Sequence, residues 1–183
     1  MEILKTKIEG VFLLKPKVFS DDRGYFFESF NANVWKEKVG EVPTFVQDNE
    51  SMSNKGVLRG LHFQHPPFAQ GKLVRVIQGS VMDVVVDLRR NSPTYGEHLS
   101  VILSGENKHQ LYLPAGFAHG FLTLEDKTIF SYKCTNFYNQ KSEGGLMWND
   151  PALKINWGIN NPILSEKDKK YESFISFVSN FDY

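Results

Sequence analysis

Residues 72–88 read KLVRVIQGSVMDVVVDL, and this stretch decides the class of fold. β-Branched side chains dominate both halves, and Gln78–Gly79 between them is typical of a turn. The pattern predicts two short strands, Lys72–Ile77 and Ser80–Leu88, joined by that turn. Similar runs, punctuated by Gly, Pro and Asn, predict further strands at Lys7–Leu14, Gly24–Phe30, Val57–Phe63, His98–Leu103, Gln110–Leu113, His119–Leu124 and Lys127–Thr135.

Many short strands with closely spaced turns predict an all-β sandwich or barrel with minor helices. The two helix candidates are Ala32–Val39 and Ser165–Tyr171, where Ser165 is placed to cap the N-terminus. The chain has 183 residues, an ordinary length for one domain, and it contains no internal repeat or linker. We therefore expect residues 1–183 to form a single domain.

Composition limits the partners and the compartment. The 21 basic and 21 acidic residues balance, which gives no general reason to bind nucleic acid or an anionic membrane. No stretch approaches the roughly 18 apolar residues of a membrane span, and charges interrupt the N-terminal residues, unlike a signal peptide. The single cysteine, Cys134, lies in an apolar run and cannot form an intrachain disulfide. We therefore expect a packed thiol in a cytoplasmic protein with no nucleic-acid or membrane partner.

Alternation along the predicted strands assigns polar side chains to faces. Lys72 shares a face with the valines of its own strand, so its amine is expected to point into an enclosed space. Tyr132 likewise shares a face with Phe130. Asp83 lies in a strand that is otherwise apolar, so it needs a hydrogen-bond partner if it is buried.

Arg59 and His62 present a conflict within one predicted strand. Strict alternation places them on opposite faces, whereas Gly60 between them suits a β-bulge that re-aims one of the two. A histidine in a strand is usually a hydrogen-bonded core residue, and none of the five histidines has a metal-binding or protease spacing. The residues alone therefore predict a β-barrel with buried polar groups and leave its function open.

Longer blocks of sequence carry more information. The most specific are LRGLHFQ at 58–64 and PFAQGK at 67–72. Together with six other blocks in the same order, they resemble the dTDP-4-dehydrorhamnose 3,5-epimerases, a family of the cupin superfamily, from about Lys7 to Asp168. The other blocks are DRGYFFE at 22–28, FVQDN at 45–49, VVVDLR at 84–89, SPT at 92–94, LPAGFAHGF at 113–121 and LSEKD at 164–168.

The resemblance implies a cupin-type β jelly roll, also called a double-stranded β-helix, and a homodimer that exchanges strands across its interface. It implies epimerisation at C3 and C5 of a 4-keto-6-deoxyhexose carried on dTDP. No cofactor is implied, because the C4 ketone makes both neighbouring carbons acidic. A metal-holding cupin has a second histidine and a glutamate near His62, where Phe63 and Gln64 stand here, so no metal site is expected.

Four catalytic roles are implied by the resemblance. His62 is the general base, Lys72 stabilises the C4 enolate, and Tyr132 returns a proton on the opposite face of the sugar. Asp168 is the hydrogen-bond partner that orients His62. Asp83 is the alternative orienting residue, because its strand leaves it in need of a partner.

The resemblance also implies a set of substrate-binding residues. Arg23 and Arg59 pair with the diphosphate, and Tyr138 stacks on thymine. His119 reaches the sugar or the diphosphate; the alternative for this residue is a hydrogen bond within the barrel wall. Arg23 and Glu28 belong to the segment near the dimer partner. The remaining contacts to base, ribose or sugar are assigned to Gln47, Asn49, Glu143 and Lys167.

Three other functions compete with this one. A single-centre epimerase is disfavoured by the PPFAQGK block at 66–72, which is similar to the rhamnose branch. A metal-dependent cupin enzyme lacks the ligands it needs. A non-catalytic sugar-binding jelly roll does not require the intact His62, Lys72, Tyr132 and Asp168. The aromatic tail Phe174–Tyr183 lies outside the resemblance and is expected either to cover an edge of the core or to support the interface.

Overall fold

The computed structural model describes residues 1–183 and consists mainly of short strands. One α-helix, α1 (Ala32–Lys38), and two short 3-10 turns, Gln140–Ser142 and Asp168–Lys170, complete the regular structure. No helix is both long enough and apolar enough to cross a membrane. In chain order the strands are β1 (Glu2–Lys5), β2 (Phe12–Lys15), β3 (Phe19–Asp21), β4 (Gly24–Phe26), β5 (Gln47–Ser53), β6 (Leu58–Gln64), β7 (Lys72–Gln78), β8 (Ser80–Asp87), β9 (Arg89–Arg90), β10 (His98–Ser104), β11 (Gln110–Leu113), β12 (Phe117–Thr123), β13 (Thr128–Cys134), β14 (Glu143–Gly145) and β15 (Phe181–Asp182).

Most of the strands form two sheets. One sheet has six strands in the order β1-β2-β11-β7-β13-β5, and the other has five in the order β10-β8-β12-β6-β14. β7 and β8 lie in different sheets, so the predicted turn at Gln78–Gly79 crosses from one sheet to the other. β3 and β4 form a separate hairpin, and β15 pairs with β9 in parallel. Strands distant in the chain pair in both sheets, as in the all-β sandwich that the residues predict and the jelly roll that the resemblance implies.

The apolar core holds the two sheets together. One cluster lies between them and takes side chains from both, including Val74 and Phe130 of one sheet and Val85 and Phe121 of the other. A second cluster covers the outer face of the five-stranded sheet, where Phe181 of the C-terminal tail is buried. The prediction that the tail covers an edge of the core is therefore confirmed.

The predicted strand faces are confirmed at the polar positions. Val74 and Val76 of β7 are buried between the sheets, so Lys72 faces the same space. Tyr132 packs against the same cluster, in which Phe130 is a member. Asp83 is fully buried and does have a partner, a histidine of β12.

The bulge that Gly60 suggests is present in β6. Arg59 pairs with Phe121 and His62 pairs with His119, so β6 takes three residue steps where β12 takes two. Directly paired residues of antiparallel strands point to the same face. The extra residue therefore brings Arg59 and His62 together on the face that looks between the sheets. Gly60 has a φ of 134°, and a Cβ there would lie 2.5 Å from the backbone of β12, so only glycine fits.

Two predicted strands are wrong in their bounds near the N-terminus. Lys7–Leu14 is not one strand, because β1 and β2 flank a turn in which Gly10 has a φ of 86°. Gly24–Phe30 ends at Phe26, since the chain then turns into α1. Asn31 caps that helix by accepting hydrogen bonds from two backbone amides of its first turn.

The predicted helix Ser165–Tyr171 is also wrong. Only Asp168–Lys170 forms a 3-10 turn, although Ser165 Oγ accepts the expected hydrogen bond from the Asp168 amide at 3.1 Å. The turn ends because Tyr171 is extended, with φ −66° and ψ 151°. Sequence reasoning also missed β5 and β14, which carry several of the predicted site residues.

Candidate active site

A cavity of about 260 Å³ is lined by residues of both sheets. Seven of its lining residues were expected at the site: His62, Lys72, Tyr132, Gln47, Asn49, Tyr138 and Glu143. The other four are Phe63, Gln64, Gln70 and Cys134. The fold therefore brings together strands β5, β6, β7, β13 and β14 around one space.

His62 is held by Asp168. The His62 Nε2 and Asp168 Oδ1 atoms are 2.6 Å apart, and the two side chains are 27% and 4% exposed. Burial opposes ionisation of Asp168, but the hydrogen bonds from His62 and Ser165 outweigh it and lower the pKa of this carboxyl. With the carboxylate accepting at Nε2, the neutral imidazole carries its proton there and leaves Nδ1 as the basic nitrogen. The geometry thus favours Asp168 over Asp83 as the partner of His62.

Asp83 holds the second histidine of this face. His119 Nε2 lies 2.8 Å from Asp83 Oδ2, and the side chains are 8% and 0% exposed. The His119 ring stacks on Phe130 with centroids 6.1 Å apart, and it does not line the cavity. The barrel-wall hydrogen bond, the alternative reading for His119, is the contact present. The other carboxylate oxygen of Asp83, Oδ1, is buried without a hydrogen-bond partner.

Lys72 and Tyr132 present free polar groups to the cavity, since neither side chain is hydrogen-bonded within the protein. Burial lowers the pKa of Lys72, whereas Cys134, Asp83 and Glu143 act in the opposite direction. Burial raises the pKa of Tyr132, so its hydroxyl is protonated at neutral pH. Lys72 and Cys134 are directly paired across β7 and β13, which places the thiol beside the amine.

Four predicted binding residues form one hydrogen-bonded cluster at the rim. Tyr138 donates through its hydroxyl to Glu143 Oε2 at 3.2 Å and through its amide to Gln47 Oε1 at 2.9 Å. Lys167 Nζ donates to Glu143 Oε1 at 2.5 Å. Tyr138 is 56% exposed, so a flat aromatic ring lies open to solvent next to a lysine.

Asn49 and Arg59 are also fixed by neighbours on the same side. Gln47 Nε2 donates to Asn49 Oδ1 at 3.0 Å, and Asn49 Nδ2 contacts Cys134 Sγ at 3.6 Å. Arg59 Nε donates to Ser53 Oγ at 3.1 Å. The missed strand β5 therefore supplies three side chains that hold or form the site.

Gln64 and Gln70 shape the site, and neither was assigned a role from the sequence. Gln64 donates to the carbonyl of Phe137 at 3.1 Å and accepts from the amide of Asn139 at 2.8 Å. Gln70 donates to the carbonyl of Asn136 at 2.7 Å. These bonds fix the loop that carries the exposed tyrosine. A buried glutamine in an apolar strand is the signal that would have marked Gln64.

Arg23 and Glu28 do not reach this cavity within one chain. Arg23 lies on the β3–β4 hairpin, 89% exposed, and pairs with Asp21. It lines a separate cavity of about 520 Å³ formed by the hairpin itself. Glu28 accepts a hydrogen bond from Asn31 at 3.0 Å, beside the start of α1.

No group of three or more His, Cys, Asp or Glu side chains is arranged to hold a metal ion. His62 and His119 are adjacent on paired strands, yet each is bonded to its own aspartate. What the cavity offers is a histidine–carboxylate pair, an amine and a phenol. These groups are suited to moving protons and stabilising negative charge.

Comparison with known proteins gives a consistent result. Residues 5–176 match the family described as dTDP-4-dehydrorhamnose 3,5-epimerase. The dTDP-4-dehydrorhamnose 3,5-epimerase of Shigella flexneri is 53% identical over 175 residues, covering 96% of this chain and 97% of that protein. Among solved structures, the enzyme of that name from Elizabethkingia anophelis superposes with a TM-score of 0.91 at 49% identity, covering 96% of this chain and 97% of the other. The dTDP-6-deoxy-D-glucose-3,5-epimerase of Legionella pneumophila, in complex with dTDP-4-keto-L-rhamnose, gives 0.92 at 46% identity, covering 97% and 94%.

Proposed function

The chain belongs to the dTDP-4-dehydrorhamnose 3,5-epimerase family, and on that basis we propose how its own residues carry out the reaction. The enzyme is an isomerase of dTDP-rhamnose biosynthesis with a cupin-like jelly-roll fold. It epimerises C3 and C5 of dTDP-4-keto-6-deoxy-D-glucose to give dTDP-4-keto-L-rhamnose. The observation that carries the mechanism is the shared cavity, where an aspartate-bound histidine meets an unpaired amine and an unpaired phenol.

His62 is the general base. Its neutral imidazole removes the proton from the carbon next to the C4 ketone, and the electron pair of the C–H bond moves to form an enolate at the C4 oxygen. The Asp168 carboxylate, 2.6 Å from Nε2, stabilises the imidazolium that results. The lowered pKa of Asp168 supports this role, because the group stays charged while His62 changes its charge.

Lys72 and Tyr132 complete the inversion. In the proposed mechanism the Lys72 ammonium stabilises the enolate oxygen, and its half-buried position in the cavity makes that charge more effective than it would be in water. The Tyr132 hydroxyl donates a proton to the opposite face of the carbon as the ketone reforms. The imidazolium and the phenolate then return to their starting states by proton exchange with water, and the cycle repeats at the second carbon.

The rim cluster holds the nucleotide end. A flat, exposed ring at Tyr138 is suited to stacking on thymine, and Lys167 is suited to binding the diphosphate. Arg59 lies on the same face as His62 and adds a second cation. Gln47, Asn49 and Glu143 provide amide and carboxylate groups for the sugar hydroxyls. His119 completes the wall beside His62.

We propose that the enzyme is a homodimer in which the β3–β4 hairpin crosses to the partner. Phe19, Tyr25 and Phe26 are 54%, 57% and 67% exposed on this hairpin, which is a concentrated apolar surface for a monomer. Arg23 lies on this hairpin, is exposed, and does not line the active-site cavity of its own chain. Exchange of this segment would bring Arg23 and Glu28 to the site of the other subunit.

Deuterium exchange tests the assignment. In D₂O the enzyme is expected to place deuterium at both C3 and C5 of dTDP-4-keto-6-deoxyglucose. Mass spectrometry measures how much deuterium is incorporated, and NMR shows at which carbons. Exchange at only one carbon would indicate a single-centre epimerase, and exchange at neither would exclude the proposed activity. Substitution of His62 is expected to reduce exchange by about 10²- to 10⁴-fold, the usual contribution of general acid–base catalysis.

Two variants make that test specific. His62→Gln retains a donor for Asp168 but has no basic nitrogen, so loss of activity in it does not depend on an unpaired buried carboxylate. His109→Ala is the matched control, because the His109 side chain forms no hydrogen bond and lies outside the cavity. Near-normal exchange by His62→Gln would refute the role of His62.

The oligomeric state is tested separately, by light scattering after size-exclusion chromatography. The wild-type protein is expected at twice the chain mass of 21.0 kDa. Phe26→Ser is expected to weaken the dimer, whereas Val178→Ser, which removes a still more exposed apolar side chain from the tail, is not. A wild-type monomer with full activity would contradict the exchange of strands.

We also propose that the enzyme works in the cytoplasm. The proposal is supported by the single cysteine, Cys134, which is a buried free thiol, as is usual in a reducing compartment. Fractionation of cells, with detection by antibody, is expected to recover the protein with cytoplasmic markers. Recovery with extracytoplasmic markers would contradict it.

A further inference from the structure

We propose that Tyr171 is a positioning residue whose ring fixes the plane of the His62 imidazole and excludes water from the His62–Asp168 hydrogen bond. The inference rests on the proposed role of His62 as the base. It concerns a side chain that is outside the cavity and that none of the sequence motifs marks.

The first support is where the ring lies. Gly145 of β14 is the direct cross-strand partner of His62 in β6. A Cβ on Gly145 would lie 2.5 to 2.6 Å from three atoms of the Tyr171 ring, so the ring occupies the place where a side chain of residue 145 would be. Paired positions share a face, and Tyr171 therefore stands beside the imidazole as a cross-strand neighbour would.

The second support is the contact with the base itself. The rings of His62 and Tyr171 meet edge to face, with centroids 5.6 Å apart and an interplanar angle of 66°. On its other side His62 is paired with His119. The Tyr171 ring therefore lies against one side of the imidazole, while 27% of the His62 side chain stays exposed.

The third support is that the ring and the carboxylate come from the same short segment. Tyr171 directly follows the 3-10 turn Asp168–Lys170. The segment is anchored at its end, because the amide of Met147 donates to the carbonyl of Glu172 at 2.8 Å. Asp168, three residues before Tyr171 in this segment, is only 3% exposed. A short charge-assisted hydrogen bond shielded from water is stronger than the same bond in solvent.

The proposed role of Tyr171 depends on its ring and not on its hydroxyl. It is buried and has no hydrogen-bond partner. Burial raises the pKa of Tyr171 to about 12; the carboxylates of Glu143 and Asp168 act in the same direction, and Lys167 acts against them. The hydroxyl is therefore protonated at neutral pH, but Tyr171 does not line the cavity and so does not reach the substrate to donate that proton. The ring is what His62 contacts, so Tyr171→Phe is the matched control for Tyr171→Ala.

The direct test is the exchange rate of the proton on His62 Nε2, observed as a downfield imidazole N–H resonance in ¹⁵N-histidine-labelled enzyme. We expect the rate in Tyr171→Phe to stay within about 2-fold of wild type and the rate in Tyr171→Ala to rise at least about 10-fold, because local access to water controls exchange. Tyr171→Leu, which keeps an apolar side chain without a planar ring, replaces the alanine variant if that variant does not fold. Unchanged exchange in the alanine variant, or in the leucine variant where the alanine variant does not fold, would overturn the inference.

Coupling to Asp168 is the second readout. Tyr171→Ala is expected to lower kcat by roughly 10- to 100-fold, the scale expected when a catalytic group is misplaced by about 1 Å, with KM nearly unchanged. In the Tyr171→Ala background, Asp168→Asn should lower kcat by a factor several-fold smaller than it does in the wild-type enzyme, because both substitutions disturb the His62–Asp168 pair. Equal costs in both backgrounds would overturn the inference. If His62→Gln remains active, the proposed role of His62 as the base fails, whereas an inactive His62→Gln with a normal Tyr171→Ala refutes only the role of Tyr171.

Discussion

Gly60→Ala tests whether the bulge in β6 builds the active site. The new Cβ would lie 2.5 Å from Gly120 Cα and 3.0 Å from the carbonyl oxygen of His119. Overpacking of this kind costs about 1–3 kcal/mol. A non-glycine residue at the φ of 134° that Gly60 adopts adds strain of about 1–3 kcal/mol. We therefore expect a loss of about 2–6 kcal/mol, or a fall in Tm of about 5–20 °C for a chain of this length.

Gly40→Ala is the matched control. Gly40 has a φ of 113°, but a Cβ there would have no atom within 4 Å, so only the backbone strain applies. The extra loss in Gly60→Ala over Gly40→Ala measures the close approach of β6 to β12. Both values come from thermal unfolding followed by circular dichroism. A Tm for Gly60→Ala within about 2 °C of that for Gly40→Ala would refute the steric reasoning.

The same variant has a functional readout. The bulge places Arg59 and His62 on one face, so β6 can accommodate the methyl group only by changing the step between them. We expect kcat of the folded variant to fall by at least about 10-fold at 25 °C, because small displacements of a catalytic base are costly. Gly40 does not line the cavity, so Gly40→Ala is expected to keep wild-type kcat. Full activity of Gly60→Ala with a normal far-ultraviolet spectrum would show that the bulge is not required.

Three further substitutions separate the proposed roles. Asp168→Asn removes a charged hydrogen-bond partner worth about 1.5–3 kcal/mol, so kcat should fall about 10- to 150-fold. The loss of that negative charge also destabilises the imidazolium, so the acidic limb of the pH profile of kcat/KM should move to lower pH, and an unmoved limb would argue against the pair. Asp83→Asn removes an anion that opposes the lowering of the Lys72 pKa, so the alkaline limb of kcat should move to lower pH; a shift upward would contradict this reading. Tyr132→Phe should still exchange deuterium through His62 but form little inverted product, as measured by NMR, and normal product formation would exclude Tyr132 as the donor.

The strand faces were predictable, because alternation requires only local sequence. Lys72 and Tyr132 were placed correctly between the sheets from the apolar residues that flank them. The conflict between Arg59 and His62 was resolved by a glycine, which the sequence also marked. In each case the apolar residues that must be buried allow only one register for the strand, and that register determines the face on which each polar side chain lies.

The missed strand β5 shows where local reasoning stops. Residues 47–53 read QDNESMS, with no apolar alternation and little β-propensity. They form a strand because they pair along the whole length of β13. That pairing joins strands that are distant in the chain, so no short stretch of sequence reveals it. Gln47 and Asn49 were therefore known only as parts of a motif, without the strand that places them.

Asp168 and Tyr171 show the same limit for the site. The local pattern predicted a helix that starts at Ser165, and it gave no partner for the Asp168 carboxyl. The carboxylate instead bonds to His62, 106 residues away in the chain. Tyr171 has no local signal at all, because its partner is the bare backbone of Gly145. Contacts of this range follow from the path of the whole chain.

Two histidines, each bonded to its own aspartate, lie side by side on one sheet, and the surroundings of the two pairs favour different roles. His119 and Asp83 are 8% and 0% exposed and sit within the barrel wall, so a change of charge there would have to be balanced with almost no help from solvent. His62 is 27% exposed and faces the cavity, while its partner Asp168 stays buried and ionised. A base must reach its substrate and yet have its new charge stabilised from behind. Only the His62 pair meets both conditions, and this supports the proposed role of His62 through burial, which residue type and spacing do not report.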